Sequence, residues 1–187
     1  MATLDDILSS HRTGRPIVMG VLNVTPDSFS DGGRFFAPGA AVAHGRTMVE
    51  AGADVLDAGA ESTRPGSERV SPDEQIRRLE AVLPALVGLG VPVSIDTTSA
   101  AVAAFALDAG AAIINDVSAG RDDPALLPLA ARRGAAVILM HMLGRPRDMQ
   151  AAPRYDDVVD EVLDFLAGRL DAAVAAGVPR GRCIVDP

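Results

Sequence analysis

Short apolar segments alternate along this chain with longer segments rich in helix-forming residues, and this alternation limits the possible folds more than any other feature. The apolar segments cover residues 16–23, 54–58, 92–96, 112–116, 135–141 and 183–186. Each is continuously apolar rather than alternating with polar residues, which is typical of parallel strands covered on both faces. The sequence therefore predicts an α/β protein with six parallel strands.

The intervening segments carry the signals of helices. All five end at a glycine, which tolerates the left-handed backbone conformation that terminates a helix. Ser71 and Asp123 each precede a proline, so a capping side chain stands before a proline at the first helical position. We predict helices over residues 38–52, 71–90, 99–110, 124–134 and 153–177.

Strict alternation of strand and helix is found in two main architectures, the doubly wound open sheet and the closed (β/α)8 barrel. The first strand is not followed by a G-x-G-x-x-G motif, so a dinucleotide site is unsupported. Polar residues instead fall at the carboxyl ends of the predicted strands, where barrel enzymes carry their chemistry. These residues are Asn23, Asp57, Asp96, Asn115, Asp116, His141 and Asp186.

We therefore expect a TIM (β/α)8 barrel of which only about the first six strands are present. The chain ends directly after the sixth predicted strand, so we expect residues 1–187 to form a single barrel domain truncated at its C-terminus. The alternative is an open α/β sheet that is complete at six strands.

Composition limits the classes of binding partner to expect. The formal net charge is −8, and the basic residues, all arginine, form no stripe or tail, which argues against affinity for nucleic acid or an anionic membrane. The single cysteine, Cys183, permits no intrachain disulfide and is predicted to be a buried strand thiol. No signal peptide or long apolar stretch is found, so a soluble cytoplasmic protein with small-molecule partners is expected.

Two polar segments follow the first two strands. The segment NVTPDSFSDGG at residues 23–33 offers polar groups for phosphate oxygens or metal-bound waters, and Phe29 for an aromatic substrate. The segment ESTRPG at residues 61–66 joins hydroxyl donors to the planar fork of Arg64, which suits phosphate or carboxylate. The alternatives are a solvated connector with a turn at Asp27, and a surface Arg64 paired with Glu61 or Glu68.

Residues 20–33 and 61–66 resemble the two signature segments of the dihydropteroate synthases. The likeness continues through residues 94–97, 114–118, 140–150 and 185–187, and so covers nearly the whole chain from Val18. It implies a (β/α)8 barrel transferase of folate biosynthesis. Such an enzyme condenses 6-hydroxymethyl-7,8-dihydropterin pyrophosphate with para-aminobenzoate to 7,8-dihydropteroate and pyrophosphate, and sulfonamides compete with the arylamine.

The resemblance also implies roles for individual residues. Asp96, Asn115 and Asp186, with Met140 nearby, resemble the residues that line a deep pterin pocket. Asn23 resembles the residue that meets the pyrophosphate or its Mg²⁺, the implied cofactor, and Thr63 and Arg64 resemble those that reach the diphosphate and the second substrate. The residues expected to be catalytic are Asn23, Thr63, Arg64 and Asp96. Further substrate contacts are expected from Thr25, Pro26, Asp27, Phe29, Ser62 and Pro65.

Two features depart from the pattern of the dihydropteroate synthases. Ala60 stands where the family usually has a second glycine, and a pterin-contacting lysine and a basic anion-binding pair of the family would lie beyond Pro187. The acidic residues at 156–161 are predicted to form a solvated helix face rather than a metal site. His141 invites assignment as a general base, yet a condensation driven by pyrophosphate departure needs little base assistance.

Two other functions compete with the synthase. A pterin-binding methyltransferase that passes a methyl group to a corrinoid would share the barrel and the Asp/Asn pocket, but it would have no use for the pyrophosphate-binding segments. A non-catalytic pterin-binding paralogue is the second alternative. As a synthase, the full-length protein is expected to form a homodimer.

Overall fold

The computed structural model describes residues 4–5, 16–24, 38–61, 69–144 and 154–187. The strands are β1 Met19–Asn23, β2 Val55–Gly59, β3 Val93–Asp96, β4 Ile113–Asp116, β5 Ala136–Met140 and β6 Cys183–Asp186. The helices are α1 Pro38–Glu50, α2 Pro72–Glu80, α3 Leu83–Val87, α4 Ala100–Asp108, α5 Leu126–Arg133 and α6 Val158–Ala175, and a 3-10 turn spans Arg180–Arg182.

The strands form one parallel sheet in the order β1-β2-β3-β4-β5-β6. Because βαβ crossovers are right-handed, a spatial order equal to the chain order places every connecting helix on the same face. A doubly wound sheet reverses its order and carries helices on both faces. The observed order is therefore that of a β/α barrel, in which helices cover the outside of the strands.

The two faces of the sheet have different cores. Leu22, Leu56, Ile95, Ile114 and Leu139 are buried in a large cluster with the helices. Residues that alternate with these along the strands point to the opposite face, which we call the inner face. The inner face carries a smaller apolar cluster with four buried members. These are Val55, Ile113, Ala136 and Ile138.

The helix ends largely follow the predicted signals. The Ser71 hydroxyl accepts a hydrogen bond from the Glu74 amide at 3.3 Å, with Pro72 at the first helical position. The glycines predicted to end the helices have positive φ angles, such as 107° at Gly110 and 65° at Gly134, where a side chain would be strained.

Two helix predictions were wrong in their extent. The segment 71–90 holds two helices, α2 and α3, because Pro84 has no N–H to bond to the Glu80 carbonyl and its ring crowds that turn. The last helix begins at Val158 rather than 153, because Asp157 caps it by accepting hydrogen bonds from the amides of Val159 and Asp160.

Within the described ranges, no helix has both the length and the apolar character needed to cross a bilayer. Cys183 is partly rather than fully buried on β6, and its thiol contacts the Pro179 carbonyl at 3.7 Å. Burial raises the pKa of this thiol.

Helix α1 approaches α3 closely at a glycine, which gives a test of the helix packing. A Cβ atom on Gly45 would lie 2.8 Å from Leu86 Cδ2, whereas a Cβ on Gly39 of the same helix would meet nothing within 4 Å. We expect Gly45→Leu to lower the free energy of unfolding by about 1–3 kcal/mol through overpacking. The matched Gly39→Leu variant should leave it unchanged or slightly higher, and equal urea unfolding midpoints for the two variants would contradict the packing.

Candidate active site

The parallel register brings three of the predicted polar residues into one row. Asn23 pairs with Gly59, Gly59 with Asp96, and Asp96 with Asn115. Asn23, Asp96 and Asn115 each follow a residue buried in the helix-side core, so their side chains lie on the inner face. The row crosses four neighbouring strands near their carboxyl ends.

Met140 and Asp186 form a pair two residues further toward the carboxyl ends of the strands than the row. Met140 pairs with Asp186, and Met140 is two residues beyond Ile138 of the inner apolar cluster. Met140 is partly buried and Asp186 is exposed. The predicted site residues that the structure describes thus share one face and one end of the sheet.

Three polar atoms in this region are buried without a hydrogen-bond partner among the described residues. They are Asp57 Oδ1, Ser94 Oγ and Asp96 Oδ1. Asp57 pairs with Ser94 across β2 and β3, so all three belong to neighbouring positions on the inner face. Buried polar atoms are normally satisfied, and each exception costs about 1–3 kcal/mol. These three atoms therefore mark a place on the inner face where a polar partner would be favourable.

The electrostatics of the row centre on two carboxyl groups. Burial raises the pKa of Asp96 to about 8, and the negative charges of Asp57, Glu61 and Asp116 contribute further. Burial also raises the pKa of Asp57, against which the Ser94 hydroxyl and the Asn115 amide act. The Ser94 hydroxyl is near enough to act on Asp57 electrostatically, although the geometry is not that of a hydrogen bond.

The comparisons with known proteins bear directly on this arrangement. A family model described as pterin binding enzyme matches residues 19–187. The chain belongs to the pterin binding enzyme family. Dihydropteroate synthase of Mycobacterium leprae is 53% identical over 173 residues, which are 91% of this chain and 60% of that protein.

Solved structures of relatives share the fold. Dihydropteroate synthase of Xanthomonas albilineans, solved with 4-aminobenzoic acid, matches with a TM-score of 0.84 at 49% identity, over 92% of this chain and 61% of that one. The Yersinia pestis enzyme, solved in a sulfonamide drug complex, matches with a TM-score of 0.85 at 43% identity, over 93% and 63%. The (β/α) barrel prediction is confirmed, and the open-sheet alternative is wrong. The chain spans about 60% of the length of the Mycobacterium leprae relative.

Eight of the site residues predicted for this chain lie outside the described residues. They are Thr25, Pro26, Asp27, Phe29, Ser62, Thr63, Arg64 and Pro65. The two ends of the 62–68 segment are nevertheless described. The Gln75 amide donates to Glu61 Oε2 at 2.8 Å and to the Val70 carbonyl at 3.0 Å, and the Val70 amide donates to Glu61 Oε1 at 3.2 Å. Gln75 therefore joins the residues on either side of this segment.

Ala60, which departs from the usual family glycine, is accommodated. Its methyl group is buried in the helix-side core, and its carbonyl accepts a hydrogen bond from Arg78 at 3.0 Å. The replacement therefore places no side chain on the inner face.

Sequence reasoning missed the contribution of two inner-face residues. Asp57 was noted only as a polar strand residue, and Ser94 was given no role, yet both have buried polar atoms next to Asp96. The signal that could have found them is spacing, because each lies two residues before an inner-face position, Gly59 or Asp96, on its own strand.

The side chains of His141 and Asp116 point away from this row, because each directly follows an inner-face residue on its strand. The His141 ring packs edge-on against Phe165 of α6 at 5.0 Å between ring centroids, and tilted against Tyr155 at 5.9 Å. Asp116 accepts hydrogen bonds from the Ser118 amide and hydroxyl and from the Gly120 amide. Both side chains are therefore held by contacts with residues outside the row.

The acidic residues at the start of α6 serve the helix. Asp157 caps α6, and Glu161 accepts hydrogen bonds from the amides of Asp156 and Asp157. Nowhere in the described part of the chain do three or more His, Cys, Asp or Glu side chains form a group that could hold a metal ion.

The raised pKa of Asp96 predicts how stability depends on pH in the ligand-free protein. The folded pKa of about 8 lies above the ordinary value of 3.8, so the folded state holds this proton more tightly than the unfolded state. The stabilisation is complete below about pH 4 and is lost toward pH 8, by up to about 1.4 kcal/mol per pH unit. We expect Asp96→Asn to stabilise the protein more at pH 7.5 than at pH 5 in urea unfolding. The same gain at both pH values would contradict the assignment.

Proposed function

We propose that the full-length protein is a dihydropteroate synthase. It would join 6-hydroxymethyl-7,8-dihydropterin pyrophosphate to para-aminobenzoate, giving 7,8-dihydropteroate and pyrophosphate. The observation that carries the proposal is a set of buried polar atoms on Asp57, Ser94 and Asp96 that have no hydrogen-bond partner among the described residues. They lie beside Asn115 in a member of the pterin binding enzyme family. The 53% identity to the Mycobacterium leprae synthase supports the reaction.

The inner-face row suits a pterin ring in its chemistry. The amino-pyrimidinone edge of a pterin presents adjacent donors and acceptors, which buried carboxylate and amide groups can pair with specifically. Asp96 and Asn115 are neighbours in register, so an acceptor and an amide lie side by side. Met140 adds a flexible apolar side chain suited to packing on a flat heterocycle. Asp186, in register with Met140, is proposed as a further partner of the ring.

The reaction asks mainly for positioning and charge stabilisation. The C–O bond to pyrophosphate breaks with its electron pair leaving on the phosphate oxygen, the arylamine nitrogen forms a bond to the pterin methyl carbon, and the amine loses a proton. Asp57, and Asp96 once binding of the ring has made its ionisation less costly, would as carboxylates favour positive charge that develops on the pterin. Asn23, Thr63 and Arg64 are proposed to meet the departing pyrophosphate, and Arg64 also the second substrate.

We propose Mg²⁺ as the cofactor. The described residues fit it only together with substrate, because Asn23 offers one neutral amide oxygen near the carboxyl end of β1. Mg²⁺ prefers oxygen ligands and usually keeps several waters, so one amide oxygen with substrate phosphates is chemically adequate. When bound, the ion would neutralise charge on the leaving pyrophosphate.

Homodimerisation, a cytoplasmic location and a single domain over residues 1–187 stay predictions.

Sulfonamides are proposed competitors of para-aminobenzoate in this protein. Support comes from the Yersinia pestis relative, whose structure was solved in a sulfonamide drug complex. The apolar contacts proposed for the arylamine are Phe29 and Pro65.

The proposed function is tested by two substitutions in the full-length protein. Asp96→Ala should raise the Kd for the pterin pyrophosphate about 10- to 100-fold, since it removes a hydrogen-bonding group that can carry charge. Arg64→Ala should mainly lower kcat or raise KM for para-aminobenzoate. Calorimetry and steady-state kinetics with Mg²⁺ provide the measurements.

A surface variant serves as the control. Asp108 pairs with Arg133 at the surface, so Asp108→Ala should change neither constant. Binding of the pterin pyrophosphate without product formation by the wild type would favour the non-catalytic paralogue. Failure to bind it at all would remove the proposal.

A further inference from the structure

Asp57 forms a long-range hydrogen bond on the inner face that the proposed reaction has not used. Its side chain is 2% exposed, and its Oδ2 accepts a hydrogen bond from Asn115 Nδ2 at 3.0 Å. The two residues belong to β2 and β4, so the bond passes over β3, where Ser94 and Asp96 are their respective register partners. Asp57 thus reaches a predicted pterin-binding residue from two strands away.

The burial of this carboxylate is costly. Burial raises the pKa of Asp57, and Oδ1 has no hydrogen-bond partner among the described residues. A buried ionisable group with incomplete pairing opposes folding, and an apolar residue at such a position is often neutral or stabilising. The contact with Asn115 is therefore better explained by what it does to the amide than by its contribution to stability.

An ionised carboxylate accepts hydrogen bonds but cannot donate them, whereas an amide has one donating and one accepting end. The bond to Asp57 consequently determines which end of the Asn115 amide faces β2. With the nitrogen held there, Asn115 keeps one further N–H and its carbonyl oxygen for other partners. An adjacent donor and acceptor are what the edge of a pterin ring requires.

We propose that Asp57 is a positioning residue for pterin binding, acting through the orientation of the Asn115 side chain. This inference rests on the proposed function. Asp57 need not touch the ring for this role, since it fixes a group that does.

A double-mutant cycle in the full-length protein tests whether Asp57 acts through Asn115. The readout is the Kd for 6-hydroxymethyl-7,8-dihydropterin pyrophosphate, measured by calorimetry. Asp57→Ala should weaken binding about tenfold in the wild-type background, which corresponds to the loss of one well-placed polar interaction. In the Asn115→Ala background the same change should weaken binding by less than about twofold, because the group it positions is already absent. KM for para-aminobenzoate should stay unchanged in Asp57→Ala.

Two further variants separate positioning from general damage. Val137 is fully buried on the helix side of β5, so Val137→Ala should destabilise the protein without changing the pterin Kd. Asp57→Asn keeps the shape of the side chain, so it remains usable if Asp57→Ala does not fold. Because an amide can present either end to Asn115, the pterin Kd of Asp57→Asn should lie between those of the wild type and Asp57→Ala.

The outcomes are distinct. Wild-type affinity in both Asp57 variants, a tenfold loss that persists in the Asn115→Ala background, or an equal loss in Val137→Ala would each overturn the positioning role while leaving the proposed function intact. If the wild type itself does not bind the pterin pyrophosphate, the proposed function fails and the inference fails with it.

Discussion

The rest of the structure depends on the register of six parallel strands in chain order. Because successive side chains on a strand point to opposite faces, the register assigns Ile95 to the helix-side core and Asp96 to the inner face. A slip of one residue in β3 would exchange them, burying a carboxylate under the helices and removing an acceptor from the site. The apolar packing of the helices therefore enforces the polar arrangement on the other side of the sheet.

This division of the sheet explains how unsatisfied polar atoms are tolerated. The helix-side core is large and continuous from α1 to α6, whereas the inner face, as far as the structure describes it, has a small apolar cluster beneath its polar row. Three buried polar atoms have no partner in the part of the chain that the structure describes, and each such atom costs about 1–3 kcal/mol, so their sum is a large share of the stability of a typical domain. A site of this kind is most readily maintained where a ligand returns the missing hydrogen bonds, since binding stabilises the folded state.

Local patterns were sufficient to predict the strands, the glycine helix exits and the positions of Asp96 and Asn115 at the carboxyl ends of their strands. Each of these is encoded by a continuous apolar run, by a residue with special backbone freedom, or by a polar residue closing a strand. The break at Pro84 was missed, although a proline inside a helical segment removes a backbone donor and could have signalled it. The bond between Asn115 and Asp57 was not predictable, because it joins residues 58 positions apart and depends on the register of three strands. The joining of Glu61 to Val70 by Gln75 was missed for a similar reason, since it depends on how α2 packs at the end of β2.

The electrostatics of the inner face connect this architecture to the proposed reaction. Asp96 is hard to ionise because it is buried and lies near Asp57, Glu61 and Asp116, so its surroundings disfavour the negative charge that its carboxylate would carry. A ring that donates a hydrogen bond relieves part of this cost, and a ring that gains positive charge as pyrophosphate leaves relieves more. The carboxylates would then interact more strongly with the transition state than with the bound substrate, which is the condition for an interaction to accelerate the chemical step. On this view the unfavourable burial of Asp57 and Asp96 and their value in the proposed reaction have the same physical origin.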